Sequence, residues 1–271
     1  MPELPEVETT RRGIAPHLKN QCISKVIIRN GKLRWPIPTS LIRSLPGQHI
    51  IDVTRRGKYL ILQMPKGALI MHLGMSGSMR ILSADEPVRK HDHFDLVLDN
   101  GKCLRFHDPR RFGSILWSKT DPLQHKLLIK LGPEPDDDLL CGDYLWQRSR
   151  HKRVTIKSFI MDSHVVVGVG NIYASESLFR AGINPKRAAG KISKVRYERL
   201  SDAVKEVISA AIRQGGTSLK DFTNADGKPG YFSQQLNVYG RRDEDCLQCG
   251  ATIKHCTIGQ RASYYCPKCQ K

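Results

Sequence analysis

The chain has 271 residues with 44 Lys and Arg against 26 Asp and Glu, a formal charge of +18. That length suffices for two or more units with cores of their own. A cationic surplus of this size points to nucleic acid, whose phosphates it attracts and whose counterions it displaces, and no basic amphipathic helix or long apolar span favours a membrane surface instead.

The chain opens Pro2-Glu3-Leu4-Pro5-Glu6-Val7-Glu8-Thr9. This acidic start lacks the basic and apolar regions of a signal peptide, so the expectation is a cytoplasmic, reducing compartment in which the eight cysteines are thiols or metal ligands. If Met1 is removed, Pro2 presents a secondary amine; α-amines titrate at roughly 7.7–8.0, so part of it is a free nucleophile at neutral pH. Such an amine can attack a sugar carbon and hold it as an iminium, with Glu3 beside it as acid/base. The structural alternative is that the prolines simply introduce a helix. Residues 3–19 carry a helical pattern through Val7, Ile14 and Leu18, with Pro16 weakening the last turn.

Beyond Cys22 the pattern turns to strands: Ile23–Ile28, Ile50–Val53, Tyr59–Gln63, Leu69–Leu73, Phe94–Leu98, Lys102–Phe106 and Ser114–Trp117. About seven short strands imply a sandwich or barrel, and Asn100-Gly101 signals a type I′ hairpin. After the Pro-rich break at 131–135 the pattern becomes helical. Asn171–Ala181 follows the Gly168-Val-Gly170 turn, and Ser193–Gln214 carries an apolar face of Val195, Leu200, Val204, Val207, Ile208, Ala211 and Ile212, stopped by Gly215-Gly216. A long loop runs over 217–239, of the kind that is functional or disordered.

At the C-terminus Cys246, Cys249, Cys266 and Cys269 form two CxxC pairs sixteen residues apart. That spacing fits a four-cysteine zinc ribbon whose metal stabilises a hairpin too small for its own core; a redox CxxC pair is the alternative. Cys256 has no ligand role in this spacing, and Cys22, Cys103 and Cys141 read as buried or half-buried thiols. Basic clusters at Arg110-Arg111, at 148–153 with Lys157 beyond, and at Arg241, Arg242 and Arg261 suit a tracked phosphate backbone, although any one of the last three, taken alone, reads better as a solvated surface charge. The glycine turn before Asn171 can hold a phosphate at a helix start, but it lacks a dinucleotide fingerprint and a Walker lysine. Met75 and Phe112 sit in glycine-bounded loops, either as wedges for a base stack or as core residues. Lys58 follows Arg55-Arg56-Gly57 at a strand start. His91-Asp-His93 lacks a third metal ligand and reads as hydrogen-bonded or phosphate-contacting.

Together PELPEVE at 2–8, HLGMSG at 72–77, KHDH at 90–93, DPRRFG at 108–113, LGPEP at 131–135, VVGVGNIYASE at 166–176, DGKPGYF at 226–232 and the CxxC pairs resemble the bacterial formamidopyrimidine-DNA glycosylases over essentially the whole chain. The sibling endonuclease VIII enzymes, which prefer oxidised pyrimidines, usually begin Pro-Glu-Gly-Pro and lack DPRRFG. The resemblance implies an α+β multidomain protein: an N-terminal β-sandwich with flanking helices (1–132), a helix–two-turn–helix domain with a lesion-recognition loop (133–240), and a zinc finger (241–271).

By that likeness the chain is a base-excision repair glycosylase and AP lyase that removes 8-oxoguanine and formamidopyrimidines from double-stranded DNA and cleaves by β,δ-elimination. It would act as a monomer with one structural Zn2+, in the bacterial cytoplasm at the nucleoid, and without a membrane partner. Pro2 attacks C1′, Glu3 handles the proton, Lys58 assists base release and β-elimination, and Arg261 grips phosphates and supports δ-elimination. Asn171 pinches phosphates with Arg261, while His91, Arg153 and Lys157 add backbone contacts. Met75, Arg110 and Phe112 fill the vacated space, with Arg110 facing the orphaned cytosine, and Glu6 contacts the flipped base under the loop at 217–239. Two alternatives stand beside this: an oxidised-pyrimidine glycosylase, and a non-catalytic zinc-ribbon damage-binding protein that gives Pro2-Glu3 no task.

Overall fold

A computed structural model describes residues 2–216 and 236–271, so the loop expected at 217–239 lies, up to residue 235, outside the described residues together with the DGKPGYF motif. The described residues form two compact units, 2–129 with 214–216, and 130–213 with 236–271.

The first unit opens with helix α1 (Leu4–Leu18). A capping box starts it, Glu3 at the N-cap and Glu6 at the third helical position exchanging side-chain and backbone hydrogen bonds, with Pro5 preset for the first turn. The last turn forms despite Pro16, because the ring removes one donor while Lys19 N–H still reaches Ala15 O at 3.0 Å.

Strand β1 (Ile23–Ile28) and the short helix α2 (Leu41–Ser44) precede β2 (Asp52–Arg56), β3 (Tyr59–Met64), β4 (Gly67–His72), β5 (Ser78–Ser83), β6 (Asp92–Leu98), β7 (Lys102–His107) and β8 (Ser114–Ser118). They build two antiparallel four-stranded sheets, β1-β6-β7-β5 and β2-β3-β4-β8. Alternate residues such as Leu60, Leu62, Leu69 and Met71 from one sheet share a core with Val26, Phe94, Leu96 and Phe106 of the other and with Val7, Ile14 and Leu18 of α1. Each such side chain contributes roughly 1.5–3 kcal/mol by its burial.

Three sequence expectations change here. The strand expected at Ile50–Val53 begins at Asp52 and runs on to Arg56. Ser78–Ser83 adds an eighth strand, hidden because Leu82, on the same face as Arg80, breaks the alternation after Met79 and Ile81. The β6–β7 hairpin exists, but only Gly101 takes a left-handed φ (78°), with Gly101 N–H bonded to Leu98 O at 3.3 Å. A I′ turn needs positive φ at both central residues, so this one is a longer turn closed by a left-handed glycine.

Off the core, the first sheet carries a charged ladder. Arg105, 1 % exposed, donates Nε and Nη2 to the two oxygens of Asp95, each at 3.0 Å. Arg29 also pairs with Asp95, while Arg80 and His107 pair with Asp92. Buried charges are tolerated only when paired and hydrogen-bonded in this way.

The second unit holds α3 (Gly142–Ser149), α4 (Ile156–Met161), α5 (Asn171–Arg180) and α6 (Lys194–Arg213), then the hairpin β9 (Lys254–Ile258) and β10 (Arg261–Tyr265). Leu200, Val204, Val207, Ile208 and Ala211 form the buried face of α6, but Val195 is 57 % exposed and does not belong to it. Of the three thiols read as buried or half-buried, Cys103 is buried and Cys22 half-buried, whereas Cys141 is exposed just before α3.

Candidate functional site

Pro2, Glu3 and Glu6 are all buried at the start of α1. Glu3 N–H donates to Glu6 Oε2 at 2.8 Å, which fixes the backbone immediately after Pro2. The helix start carries positive partial charge, so two carboxylates are well placed there. Gly216 packs against Glu6: at φ 83°, a Cβ on it would stand 3.0 Å from Glu6 Oε1.

One turn on, Glu8 accepts from Arg11, Arg12 and Arg55. Arg55 also donates to Gly57 O at 2.9 Å, tying α1 to the two-residue turn that presents Lys58 between β2 and β3. Gly57 takes φ 58° there, the left-handed value that a II′ turn asks of its first central residue. No local pattern signals this Glu8–Arg55 tie, because its partners lie 47 residues apart.

His72 ends β4 behind that turn, its ring 4.8 Å from that of Tyr59. Burial, then the charges of Lys58 and Arg34, push its pKa down to about 4. The neutral ring accepts Gly74 N–H on Nδ1 at 2.9 Å, which bends the loop carrying Met75. Met75 is 37 % and Phe112 46 % exposed, so neither is a core residue. The Arg110 guanidinium lies 5.1 Å from the Phe112 ring centre. A Cβ on Gly74 would come within 2.5 Å of Gly113 N, so the two loops meet backbone to backbone. His91, half-buried at φ 76°, neighbours them, and His93 is buried with Nε2 2.9 Å from Asp108 O.

In the second unit Asn171 is the first residue of α5, and its Nδ2 donates to Ala262 O at 2.9 Å. Lys157, expected as a surface cation for the DNA backbone, is instead 1 % exposed and donates to Ala262 O at 3.2 Å and Ser263 Oγ at 2.7 Å. Both side chains brace β10 beside Arg261, which is exposed just after the left-handed Gly259-Gln260 turn. Arg153 is exposed, while Arg150 of the same cluster stacks on Trp146 and caps backbone carbonyls. Glu176, which the motif contained without a role, is 2 % exposed and gathers Asn237 N–H and Nδ2 with the N–H groups of Val238 and Tyr239 at 2.8–3.1 Å.

The Sγ atoms of Cys246, Cys249, Cys266 and Cys269 lie within 4.8 Å of one another, with Cys249–Cys266 at 3.5 Å and Cys246–Cys269 at 3.9 Å. Thiolates placed about 2.3 Å from a tetrahedral zinc are separated by roughly 3.8 Å, so the four sulfurs fit one ion. They leave it no open position, and the zinc is structural. Cys256 lies on β9, pairs in register with Ser263 and stands outside this cluster.

An N-terminal sandwich with a buried Pro-Glu start, a helical unit and a four-cysteine finger define the class of zinc-finger DNA glycosylases with lyase activity. Three family models agree: "Formamidopyrimidine-DNA glycosylase N-terminal domain" over residues 1–115, "Formamidopyrimidine-DNA glycosylase H2TH domain" over 131–223, and "Zinc finger found in FPG and IleRS" over 243–271. The formamidopyrimidine-DNA glycosylase of Stenotrophomonas maltophilia (strain K279a) is 59 % identical over 271 residues, all of both chains. The crystal structure of the MutM (Fpg) protein from Thermus thermophilus superposes with a TM-score of 0.89 at 35 % identity, covering 99 % of this chain and 98 % of that one. A Lactococcus lactis Fpg variant in complex with Fapy-dG containing DNA gives 0.93 at 32 % identity, with both chains fully covered. The chain belongs to the formamidopyrimidine-DNA glycosylase family and is a base-excision repair DNA glycosylase with AP lyase activity. Among the described residues no helix is long and apolar enough to cross a membrane.

Proposed function

We propose that the chain excises oxidised purines, 8-oxoguanine and formamidopyrimidines, from double-stranded DNA by covalent catalysis at Pro2. The observation that carries this is the Pro2-Glu3 pair, buried at a helix start fixed by the capping box. A stacked base cannot offer C1′ to an amine, so the nucleotide is first extruded at a cost of a few kcal/mol. The lone pair of Pro2 then attacks C1′, the glycosidic bond breaks, and the base leaves with a proton. Glu3 delivers a proton to the sugar oxygen as the ring opens to an iminium. Removal of a C2′ proton expels the 3′ phosphate, a second elimination expels the 5′ phosphate, and hydrolysis frees the amine.

Lys58, beside the α1 tie, assists base release and the first elimination. Arg261, with Asn171 on the neighbouring backbone, holds flanking phosphates and supports the second. His91 and Arg153 add phosphate contacts; Lys157 serves them by bracing β10. Met75, Arg110 and Phe112 fill the gap, Arg110 facing the unpaired cytosine, and Glu6 borders the flipped base. This work is divided among parts at 1–132, 133–240 and 241–271. The enzyme acts as a monomer in the cytoplasm, at the nucleoid, where reduced thiolates keep the zinc.

Borohydride trapping on a duplex with 8-oxoguanine opposite cytosine tests the nucleophile. A DNA adduct on a peptide beginning at Pro2 is expected, and Pro2→Gly should lose most strand cleavage while still binding the damaged duplex. Full lyase activity in Pro2→Gly, or an adduct elsewhere, would overturn the assignment. Tight binding without any adduct would favour a non-catalytic role.

A further inference from the structure

The loops bearing Met75, His91, Arg110 and Phe112 are joined by one residue, an aspartate, that the proposed chemistry leaves without a task. Asp108 is completely buried (0 % exposed). Its Oδ1 accepts from the Ser76 hydroxyl at 3.0 Å and its Oδ2 from Gly113 N–H at 2.8 Å. Its own N–H donates to His91 O at 3.0 Å, and its carbonyl oxygen meets His93 Nε2 at 2.9 Å. Ser76, having donated its proton to Asp108, accepts Arg110 N–H on Oγ at 3.3 Å.

The placement is specific. Ser76 follows Met75 and Gly113 follows Phe112, so each apolar side chain stands one residue from a bond that ends on the carboxylate. Arg110 is held through Ser76, and His91 through the backbone of Asp108. Left alone these loops would not keep this shape, because His91 (φ 76°) and Arg111 (φ 57°) occupy the left-handed region without being glycines. Two donors, the Ser76 hydroxyl and the Gly113 amide, converge on the side chain from loops 32 and 5 residues away in sequence. Only a carboxylate accepts both at full strength; an amide would turn its NH2 toward one of them.

We propose that Asp108 is a positioning residue that locks Met75, Arg110 and Phe112 into one preformed wedge, so that insertion into the gap and reading of the opposite base occur as a single event. The proposal rests on the gap-filling role given to those three residues above. A wedge already held in its inserted shape loses little conformational freedom on entry, and a misplaced Arg110 loses its geometry toward the opposite base.

The test measures kcat/KM on 8-oxoguanine opposite cytosine and opposite adenine, together with the fluorescence of 2-aminopurine placed beside the lesion. Asp108→Asn is expected to shrink the cytosine-over-adenine ratio roughly tenfold and to reduce the fluorescence change, with its melting temperature lowered by only a few degrees, so that the protein is folded at the assay temperature. Ser76→Ala should move both readouts the same way by less, and Ser76→Thr, which keeps the hydroxyl, should restore them. This pair carries the test if Asp108→Asn does not fold. In a Met75→Ala/Arg110→Ala/Phe112→Ala background the Asp108→Asn effect should vanish. An equal loss on both opposite bases, or a full additional loss in that background, would overturn the positioning role while the wedge stands. An unchanged ratio and fluorescence in the triple variant itself would overturn the gap-filling role, and this proposal with it.

Discussion

In the sandwich, among the described residues, twenty-four buried side chains drawn from both sheets, from the helices α1 and α2 and from the segments that connect them make one apolar core. Around the finger the corresponding cluster is five: Phe179, Val238, Cys246, Ile253 and Cys266, two of which are metal ligands. The first region holds its shape by area, spread over many residues, and can spend polar side chains such as Asp108 and Glu8 on aiming its loops. The second is held at a few points: the zinc, the Glu176 carboxylate, and the Lys157 and Asn171 donors on β10. Distributed support tolerates single losses, whereas point support fails at each point, and variants at those points should separate the two regions.

Zinc removal should have the largest effect. Structural zinc contributes on the order of 10–16 kcal/mol in small fingers, more than Phe179, Val238 and Ile253, the members of that cluster that are not ligands, can replace at roughly 1.5–3 kcal/mol each. Chelation, or Cys249→Ser, should abolish the fold of the hairpin and weaken binding to lesion-bearing DNA at least tenfold, leaving the thermal transition of the sandwich in place. Calorimetry with and without chelator, beside a DNA titration, tests this. Undiminished affinity after verified zinc loss would show that the finger does not depend on its metal.

Glu176→Gln comes next. The carboxylate accepts four N–H groups, and an amide in its place would set its own NH2 against some of them. Leaving such buried donors unpaired costs roughly 1–3 kcal/mol. Because Val238 belongs to the finger's cluster, the variant should surrender zinc to a chromogenic chelator faster than the parent. Identical release rates would mean that Glu176 holds its loop without supporting the metal site.

The difference between the regions also governs what the sequence discloses. Strands and α1 were legible because apolar residues recur at the period of the element, as in Tyr59–Met64, and the zinc ligands because CxxC spacing is local. Legibility ended where a residue's role depends on a distant partner. Arg105 looks like a surface cation until Asp95 on the neighbouring strand claims it. Lys157 reads as a phosphate ligand until a strand about a hundred residues later is seen to bury it. Asp108 sits in a recognisable motif, yet nothing in DPRRFG discloses that its carboxylate reaches Ser76. Ser78–Ser83 is not legible as a strand because the alternation set by Met79, Arg80 and Ile81 is broken at once by Leu82, which shares the face of Arg80, and is too short to mark a half-buried strand.

The smallest expected effect is the one that separates the regions by pH. Burial raises the pKa of Glu8, but hydrogen bonds from Arg11 and Arg12 and the charges of Arg11 and Arg55 outweigh it and bring the value from 4.5 down to about 2. A carboxylate with a lowered folded pKa binds its proton more readily when unfolded. Its stabilising contribution is therefore full above about 4.5 and is lost as the pH falls toward about 2. Two of its partners are partly solvated, so the contribution is on the order of 1–2 kcal/mol. Glu8→Gln should be less stable than the parent by that amount in urea at pH 7, and the gap should close as both are titrated to pH 2. The finger's acid lability has a different origin, protonation of its thiolates with release of zinc, and is the same in both proteins. The difference between the two titrations thus isolates the tie from α1 to the Lys58 turn, and a gap unchanged between pH 7 and pH 2 would show that Glu8 acts there by packing rather than by charge.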